Sequence, residues 1–489
     1  MDNLLYNARM NHAKKALPQR AHFVGICGVA TSALAIALAK AGVTVTGSDK
    51  GFFPPVSTSL TEAGVPYYAG WHPEKMFEHG APDIVVVGTA SGSQNPETDN
   101  ARALGLPIYS FAEAVGQYLV RQHSIVVAGT WGKTSSAALL SHILIEAGYD
   151  PSYMFGGVSL SHDASARYTK SKWSVFEGDE YKSSPTDTTA KFFYYHPSHL
   201  LLTAVSWDHA DLYPTEADYF ETFGRLLQQM PPKGFVIANK DQPGVTKALA
   251  GATSRVVRYG RGPGTSEEYT YDEISQSRSG LNFKINHAGQ TYAIRSHLLG
   301  AFQAENITGC FAMAVELGVS TEAAVAAIAS FKGLKRRLEK RLDGEQVVSG
   351  VTVFDDIAHS PEKASAVLHE LRQVYGEQII AVFEPNIGGR ERAAQDKYFN
   401  AFREAAQVVV PRLTKLKVAA EETTEPPMSG EELSQVIASS HPHTQYFDDD
   451  EALVSHLVAA SQKGTVIAFL GSHGFRGMIE ETVKRLARN

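Results

Sequence analysis

The sequence predicts an α/β protein of three domains, and three observations carry that expectation. Short apolar runs of strand character alternate with Ala- and Leu-rich stretches of helical period along the chain, which is the pattern of βαβ units. The alternation opens afresh twice, at a strand near residue 124 and again near residue 351. A length of 489 residues, 43% of them hydrophobic, suits about three cores at roughly 100–200 residues per domain.

Each element follows in order. Residues 22–26 form an apolar strand-like run, 29–40 a helix and 43–47 a second strand, and the Ile-Val-Val-Val centre of 83–88 reads as a buried parallel strand. The second block has a strand at 124–128, a Gly-rich turn, a helix reaching 147, and strands at 173–177, 199–205 and 234–239. Residues 259–296 change to alternating Tyr, Thr and Gly, which predicts a small β insertion, before helices at 304–317 and 321–331. The third block places strands at 351–354, 378–383, 406–410 and 465–470 between helices. The domain boundaries that result are 1–122, 123–346 and 347–489. The only biased tract is a Glu/Thr/Pro loop at 421–427.

Bulk properties exclude several classes. A net charge of -7 gives no global attraction to nucleic acid or acidic lipid, so neither is expected as a partner. Cys27 and Cys310 lie far apart without metal-ligand spacing, which points to a reducing compartment. The first 20 residues carry Arg9, Lys14, Lys15 and Arg20 but no continuous apolar stretch, and no segment approaches the length of a membrane span. A cytoplasmic monomer or weak homo-oligomer is the expectation.

Chemistry enters at Gly129-Thr130-Trp131-Gly132-Lys133-Thr134-Ser135-Ser136, between a strand and a helix. Glycines let backbone N–H groups face phosphate oxygens, the helix N-terminus adds positive potential, Lys133 can reach terminal phosphates and Thr134 can ligate Mg²⁺. The generic template wants glycine where Val127 stands, and the competing reading is a tight turn with a solvated lysine. Glu177, in Phe176-Glu177-Gly178-Asp179-Glu180-Tyr181, emerges at a strand end where α/β sheets place ligands. Trp207-Asp208-His209-Ala210-Asp211 follows another strand, and a lone histidine there is as readily structural. In the first block Gly25-Ile26-Cys27-Gly28 and Ser48-Asp49 occupy the places a dinucleotide fold uses, but Cys27 and Ala30 replace the second and third glycines of its fingerprint.

These segments, in this order, resemble the Mur ligase family, whose phosphate loop reads Ala-Gly-Thr-x-Gly-Lys-Thr with Asn or His in most members where Trp131 stands. The resemblance implies Rossmann-like outer domains around a P-loop ATPase-like centre, with ATP and Mg²⁺ as cofactors. It implies Lys133, Glu177 and His209 as catalytic residues, with Thr134, Glu177 and His209 as metal ligands. For ATP it implies Gly129, Thr130, Gly132, Lys133, Thr134 and Ser135, then Asn306 in 300–306, Arg337 in 331–339, and Asp355, Asp356 and His359 in 354–361. For a UDP-sugar it implies Gly25, Gly28, Ser48, Asp49, Ser57, Thr58, Ala90 and Asn95. Residues 220–227 lack the lysine that many members carbamylate, as in the muramate-specific branch.

Within that branch, Pro54-Pro55-Val56-Ser57-Thr58 and Phe383-Glu384-Pro385 resemble the peptide-recycling ligases. The implied reaction joins the carboxylate of UDP-N-acetylmuramate to L-alanyl-γ-D-glutamyl-meso-diaminopimelate, or a related peptide, through an acyl phosphate. The alternative amine is L-alanine, in de novo peptidoglycan synthesis. Asn386, His473 and Arg476 depart from the recycling pattern, and Arg390, Arg392 and Arg412 read equally as carboxylate ligands or surface charges. A reading of another class, a nucleotide-linked oxidoreductase, lacks the glycine fingerprint and leaves 129–134 unexplained.

Overall fold

The computed structural model describes residues 16–52, 56–88, 94–184, 186–414 and 426–488. Most of the basic opening stretch, Pro54 and Pro55, Ala90, and most of the 421–427 loop lie outside them. The apolar runs become inner strands of three large sheets.

The first sheet contains β1 (Arg20–Val24), β2 (Thr44–Asp49), β3 (Tyr67–Ala69), β4 (Ile84–Val87) and β5 (Ile108–Ser110), all parallel, in the order β3-β2-β1-β4-β5. Helix α1 (Val29–Lys40) makes the crossover from β1 to β2. Phe23, Val24, Val85 and Val86 are fully buried, which places β1 and β4 at the centre. Strand order reverses between these two, so the loops at their carboxyl ends border a crevice.

The second sheet takes β6 (His123–Ala128), β7 (Ser152–Met154), β8 (Ala166–Arg167) and β9 (Trp173–Gly178), while β10 (Lys182–Ser184) and β11 (Asp187–Ala190) pair separately. It continues through β12 (His199–Leu202), β13 (Phe235–Asn239), β14 (Arg255–Arg261), β15 (Tyr269–Ser277), β16 (Gly280–His287) and β17 (Gln290–Ser296). The order is β17-β16-β15-β14-β13-β12-β6-β9-β7-β8. Residues 259–296 supply the expected β insertion, and it extends the sheet at one edge, because β14 pairs in parallel with β13. Strand β6 sits between β9 and β12, and its last residue, Ala128, pairs with Gly178 on one side and Leu202 on the other. That register sets the loops after residues 128, 178 and 202 side by side.

The third sheet holds β18 (Glu339–Leu342), β19 (Thr352–Asp356), β20 (Ile379–Glu384), β21 (Gln407–Pro411), β22 (Thr444–Phe447) and β23 (Val466–Gly471), in the order β18-β19-β23-β20-β21-β22. Only β18 runs antiparallel to its neighbour. Adjacent residues alternate between its faces: Phe354, Phe383, Val410 and Leu470 enter one core, Val353, Val382, Val409 and Phe469 the other.

The chain divides into two compact units. One holds the first two sheets, comprising residues up to Glu273 with Phe283–Arg295 and Ala304–Lys332. A single apolar cluster runs through it, from Phe23, Leu34 and Val86 to Phe176, Leu200 and Phe223. The other holds Ile274–Asn282, Ser296–Gln303 and the chain from Gly333 onward. Among the described residues no helix is long and apolar enough to cross a membrane.

Candidate active site

The phosphate loop closes on the neighbouring strands. Gly129 has φ +138, and a Cβ there would lie 2.4 Å from Thr203 Oγ1. Gly132, the N-cap of helix α2 (Lys133–Glu146), has φ +80, and its Cβ would lie 2.5 Å from Asn306 Oδ1. Both positions demand glycine, for conformation and for space. Thr130 donates its N–H to Ala204 O (2.9 Å) and its hydroxyl to Ser206 O (2.9 Å), while Ser206 N–H donates back to Thr130 Oγ1 (2.8 Å). Thr203 Oγ1 holds Trp131 O at 2.6 Å. These bonds fix the backbone of the cradle from within the protein itself. Ser135 is half-buried on the first turn of α2.

Two carboxylates of the acidic segment face this loop. Glu177 accepts the Thr134 hydroxyl at 2.7 Å and the Gly156 N–H at 2.5 Å. Glu180, which the sequence reading did not select, is 1% exposed and holds Lys133 Nζ at 2.9 and 3.1 Å. Tyr219 OH reaches the same carboxylate at 3.3 Å and His209 Nε2 at 3.7 Å. Burial raises the Glu180 pKa and Lys133 only partly opposes it, so desolvation outweighs the ion pair. The predicted metal set is thus brought together in part: Thr134 meets Glu177, while His209 faces Glu180. Glu180 could have been found as the third acid of a segment already singled out, but only the end of β9 shows which acid meets the lysine.

Among the described residues no group of three or more His, Cys, Asp and Glu is arranged to hold a metal alone. The Thr134 and Glu177 pair nevertheless fits a hard cation that takes its remaining oxygens from phosphate and water. Asn306 is buried beside Gly132, where its side chain borders the loop.

The predicted sugar-nucleotide turn follows β1. Gly25, with φ +81, and Ile26 donate their N–H groups to Ser48 O at 2.9 and 3.0 Å, and Cys27 N–H donates to Asp49 Oδ2 at 2.8 Å. Gly28 is exposed at the N-cap of α1. Asp49 therefore shapes the turn. The Ser48 side chain is fully buried and donates to Glu97, so it is committed inward. Glu97 also accepts Tyr68 OH (2.7 Å) and His72 N–H (2.7 Å), with His22 at 3.5 Å. Burial alone would raise its pKa, but the bonds from His22, Ser48, His72 and Tyr68 bring it below the ordinary value. Asn95 is the N-cap of the helix Pro96–Ala103, accepting the N–H groups of Glu97 and Thr98. Ser57 is half-buried and Thr58 exposed on the helix Val56–Glu62, and Ala90 lies outside the described residues.

In the second compact unit Asp355 is 2% exposed, 3.3 Å from Arg336 Nε. Burial pushes its pKa up to about 6 despite Arg336 and Arg341. Asp356 accepts the N–H groups of Ala358 (2.8 Å) and Leu338 (2.7 Å). His359 Nδ1 meets Ile357 O at 2.7 Å. Arg336 is fixed on the carbonyls of Gly471, Ser472 and His473, whereas Arg337 is exposed. Arg390 is 4% exposed and paired with buried Glu384, so it is no surface charge. Arg392 pairs with Glu432 on the surface, and Arg412 and Arg476 converge on Asp450. Asn386 Oδ1 accepts the Gly389 N–H.

Residues 20–123, 127–314 and 336–473 match in turn the profiles described as Mur ligase family, catalytic domain; Mur ligase middle domain; and Mur ligase, glutamate ligase domain. A UDP-N-acetylmuramate–L-alanine ligase of Arthrobacter sp. (strain FB24) is 34% identical over 80% of this chain and 80% of its own. A UDP-N-acetylmuramate–L-alanyl-γ-D-glutamyl-meso-2,6-diaminoheptandioate ligase of Haemophilus influenzae is 31% identical over 74% and 79%. Among solved structures, a murein peptide ligase from Psychrobacter arcticus superposes with a TM-score of 0.68 and 26% identity, covering 96% of this chain and 99% of that one. A UDP-N-acetylmuramate–alanine ligase from Thermotoga maritima reaches a TM-score of 0.76 at 22% identity, covering 95% and 98%, which shows the shared fold. With a nucleotide cradle at the head of its middle domain and every domain matched in order, the chain belongs to the Mur ligase family and is an ATP-dependent amide-bond-forming ligase.

Proposed function

We propose that this enzyme activates the carboxylate of UDP-N-acetylmuramate with ATP and joins it to an amine. The observation that carries the reading is the pairing of part-buried Lys133 with buried Glu180 beside a glycine cradle, next to Thr134 bonded to Glu177. The γ-phosphoryl group passes to the carboxylate oxygen, and the amine nitrogen then displaces phosphate from the carbonyl carbon. Lys133 steadies the oxygens as charge moves between them, the N–H groups of 129–135 orient the phosphates, and Glu180 holds Lys133 in place beforehand. Magnesium, held by Thr134 and Glu177 with His209 near, would supply further positive charge against those oxygens. Residues 1–122 take the UDP-sugar at Gly25, Gly28 and Asp49, residues 123–346 the ATP phosphates, and residues 347–489 the amine, with Asp355, Asp356 and His359 toward the nucleotide.

L-Alanine is placed first as the amine, reversing the preference drawn from the sequence, because most of the similar relatives are named as L-alanine ligases. The peptide reading stays as the second, favoured by Phe383-Glu384-Pro385, the Haemophilus relative and the Psychrobacter structure. The work is cytoplasmic, where ATP and the UDP-sugar are available. Phosphate release from ATP is measured with UDP-N-acetylmuramate and, in turn, L-alanine, dipeptide, tripeptide and tetrapeptide. Stimulation by L-alanine alone supports the first reading, stimulation by tripeptide alone the second, and no amide with any amine overturns both.

A further inference from the structure

Two of the four tryptophans, Trp131 and Trp207, are each 47% exposed and flank the same loop. Large rings are usually more buried than this. Trp131 sits between Thr130, held by Ala204 and Ser206, and the left-handed Gly132, with its own carbonyl fixed by Thr203. Trp207 follows Ser206 directly, so the reciprocal Thr130–Ser206 bonds zip the two tryptophan-bearing segments together. Trp207 Nε1 donates to Tyr213 O at 2.9 Å, and Tyr213 OH donates to Glu180 O, which turns the polar edge of that indole inward. Apolar surface is thus presented on the segments that follow β6 and β12, two residues before Lys133 in the one case and two before His209 in the other.

The chemistry of that pocket gives apolar surface a task. An acyl phosphate partitions between two nucleophiles: the amine, whose nitrogen bonds to the carbonyl carbon as phosphate leaves and a proton is released, and water, whose oxygen does the same and returns the free carboxylate. Only the first makes product, and both consume one ATP. We propose that Trp131 and Trp207 form a water-excluding rim that biases this partition toward the amine. Trp131 and Trp207 are positioning residues in this sense; they exclude solvent and do not touch the moving proton. The proposal rests on the acyl phosphate reading above.

The measurement is the ratio of phosphate released to amide formed, with ATP, magnesium, UDP-N-acetylmuramate and saturating amine. The native enzyme is expected near one phosphate per amide, and Trp131→His at about three or more. Trp131→Phe, which keeps a ring, is expected close to the native ratio, and Trp207→Leu tests the second ring by the same readout. Partial unfolding leaves this ratio unmoved, and the absolute rates of hydrolysis and amide formation, recorded together, show whether the water branch rises, as the rim requires, or the amine branch falls, which overturns it. Independently, the tryptophan emission lost in Trp131→Phe should shift to the blue in the native protein when ATP and the UDP-sugar bind. A native enzyme that forms amide while Trp131→His and Trp207→Leu keep its ratio overturns the rim alone. A native enzyme that forms no amide overturns the acyl phosphate reading and the rim with it.

Discussion

Glu180 shows what one buried side chain can decide. Its carboxylate is the counter-ion of Lys133, and removing one partner of a buried pair leaves the other charge uncompensated. Glu180→Gln should destabilise the ligand-free protein by about 2–4 kcal/mol, less any relief from movement of Lys133 into solvent. Bound ATP supplies the missing negative charge, so the deficit in Tm should narrow when ATP and magnesium are added. A deficit equal with and without nucleotide would show that Lys133 does not face phosphate. Lys133→Ala should lower acyl phosphate formation by roughly three orders of magnitude, through loss of a charge positioned for the transition state. Binding of UDP-N-acetylmuramate, read by calorimetry, should survive that change, and its parallel loss would count against separate sites. The same scale explains two placements that one dimension leaves open. Arg336 and Arg337 are adjacent and chemically identical, and only the path of the backbone, with φ +59 at residue 336, turns the first onto the carbonyls of 471–473. Arg390 reads in sequence equally as a carboxylate ligand or a surface charge, and packing seals it against Glu384.

Elements position these side chains through their ends. Helix α2 begins at a glycine whose conformation an L-residue adopts only with strain. Gly132→Ala should cost about 1–2 kcal/mol in stability for the left-handed backbone and raise KM for ATP, because its Cβ presses on Asn306 Oδ1. Denaturant unfolding and initial rates check both, and an unchanged KM would mean that the loop relaxes without disturbing the phosphates. In the first domain Asn95 illustrates a motif residue with a structural occupation. As the N-cap of the helix Pro96–Ala103 it satisfies two N–H groups, so Asn95→Ala should cost about 1 kcal/mol. Asn95→Ser keeps a capping oxygen and should recover most of that stability. If its affinity for the UDP-sugar is nevertheless as poor as that of Asn95→Ala, the amide itself contacts ligand.

At the scale of the whole molecule, acid sensitivity comes from imidazoles folded away from water. His199 lies at the start of β12, edge-on to Phe235 and beside Trp173 and His123. Burial, and then the nearby His123, lowers its pKa from 6.5 to about 4. A base whose folded pKa is depressed contributes stability above its unfolded value, and that contribution is lost as pH falls from about 6.5 toward 4. Replacing it with Gln should shrink the fall in stability across that window by on the order of 2–3 kcal/mol. Urea unfolding at pH 7.5 and pH 4.5 tests this, and identical pH dependence in the two proteins would sink it. His142 belongs to the same class: it is 3.0 Å from His162 and 2.9 Å from Ser330 Oγ, and burial lowers its pKa too. One imidazole of that pair must stay neutral to accept from the other.

Much of the architecture was legible in one dimension. Parallel strands buried on both faces leave nearly unbroken apolar runs, and 83–88, 124–128 and 173–177 announce themselves by them, their few polar residues being small buried serines or strand ends. The glycine turn at 129–136 was equally legible, since its left-handed glycines and the helix start behind them are set within one turn of chain. Residues 259–296 were legible as a β insertion but not as an edge of the large sheet, because alternation records that a strand has one wet face but not which sheet edge it joins. By itself, then, the sequence determined the alternation of strands and helices, the phosphate cradle and the order of its chemical segments, all of which depend on near neighbours. Tertiary structure alone decided that Glu180 meets Lys133, that Ser48 turns inward, that Arg390 is buried and that the segments bearing Trp131 and Trp207 are bonded to each other. Those outcomes depend on the register of β6 with β9 and β12 and on burial, which bring together residues dozens of positions apart.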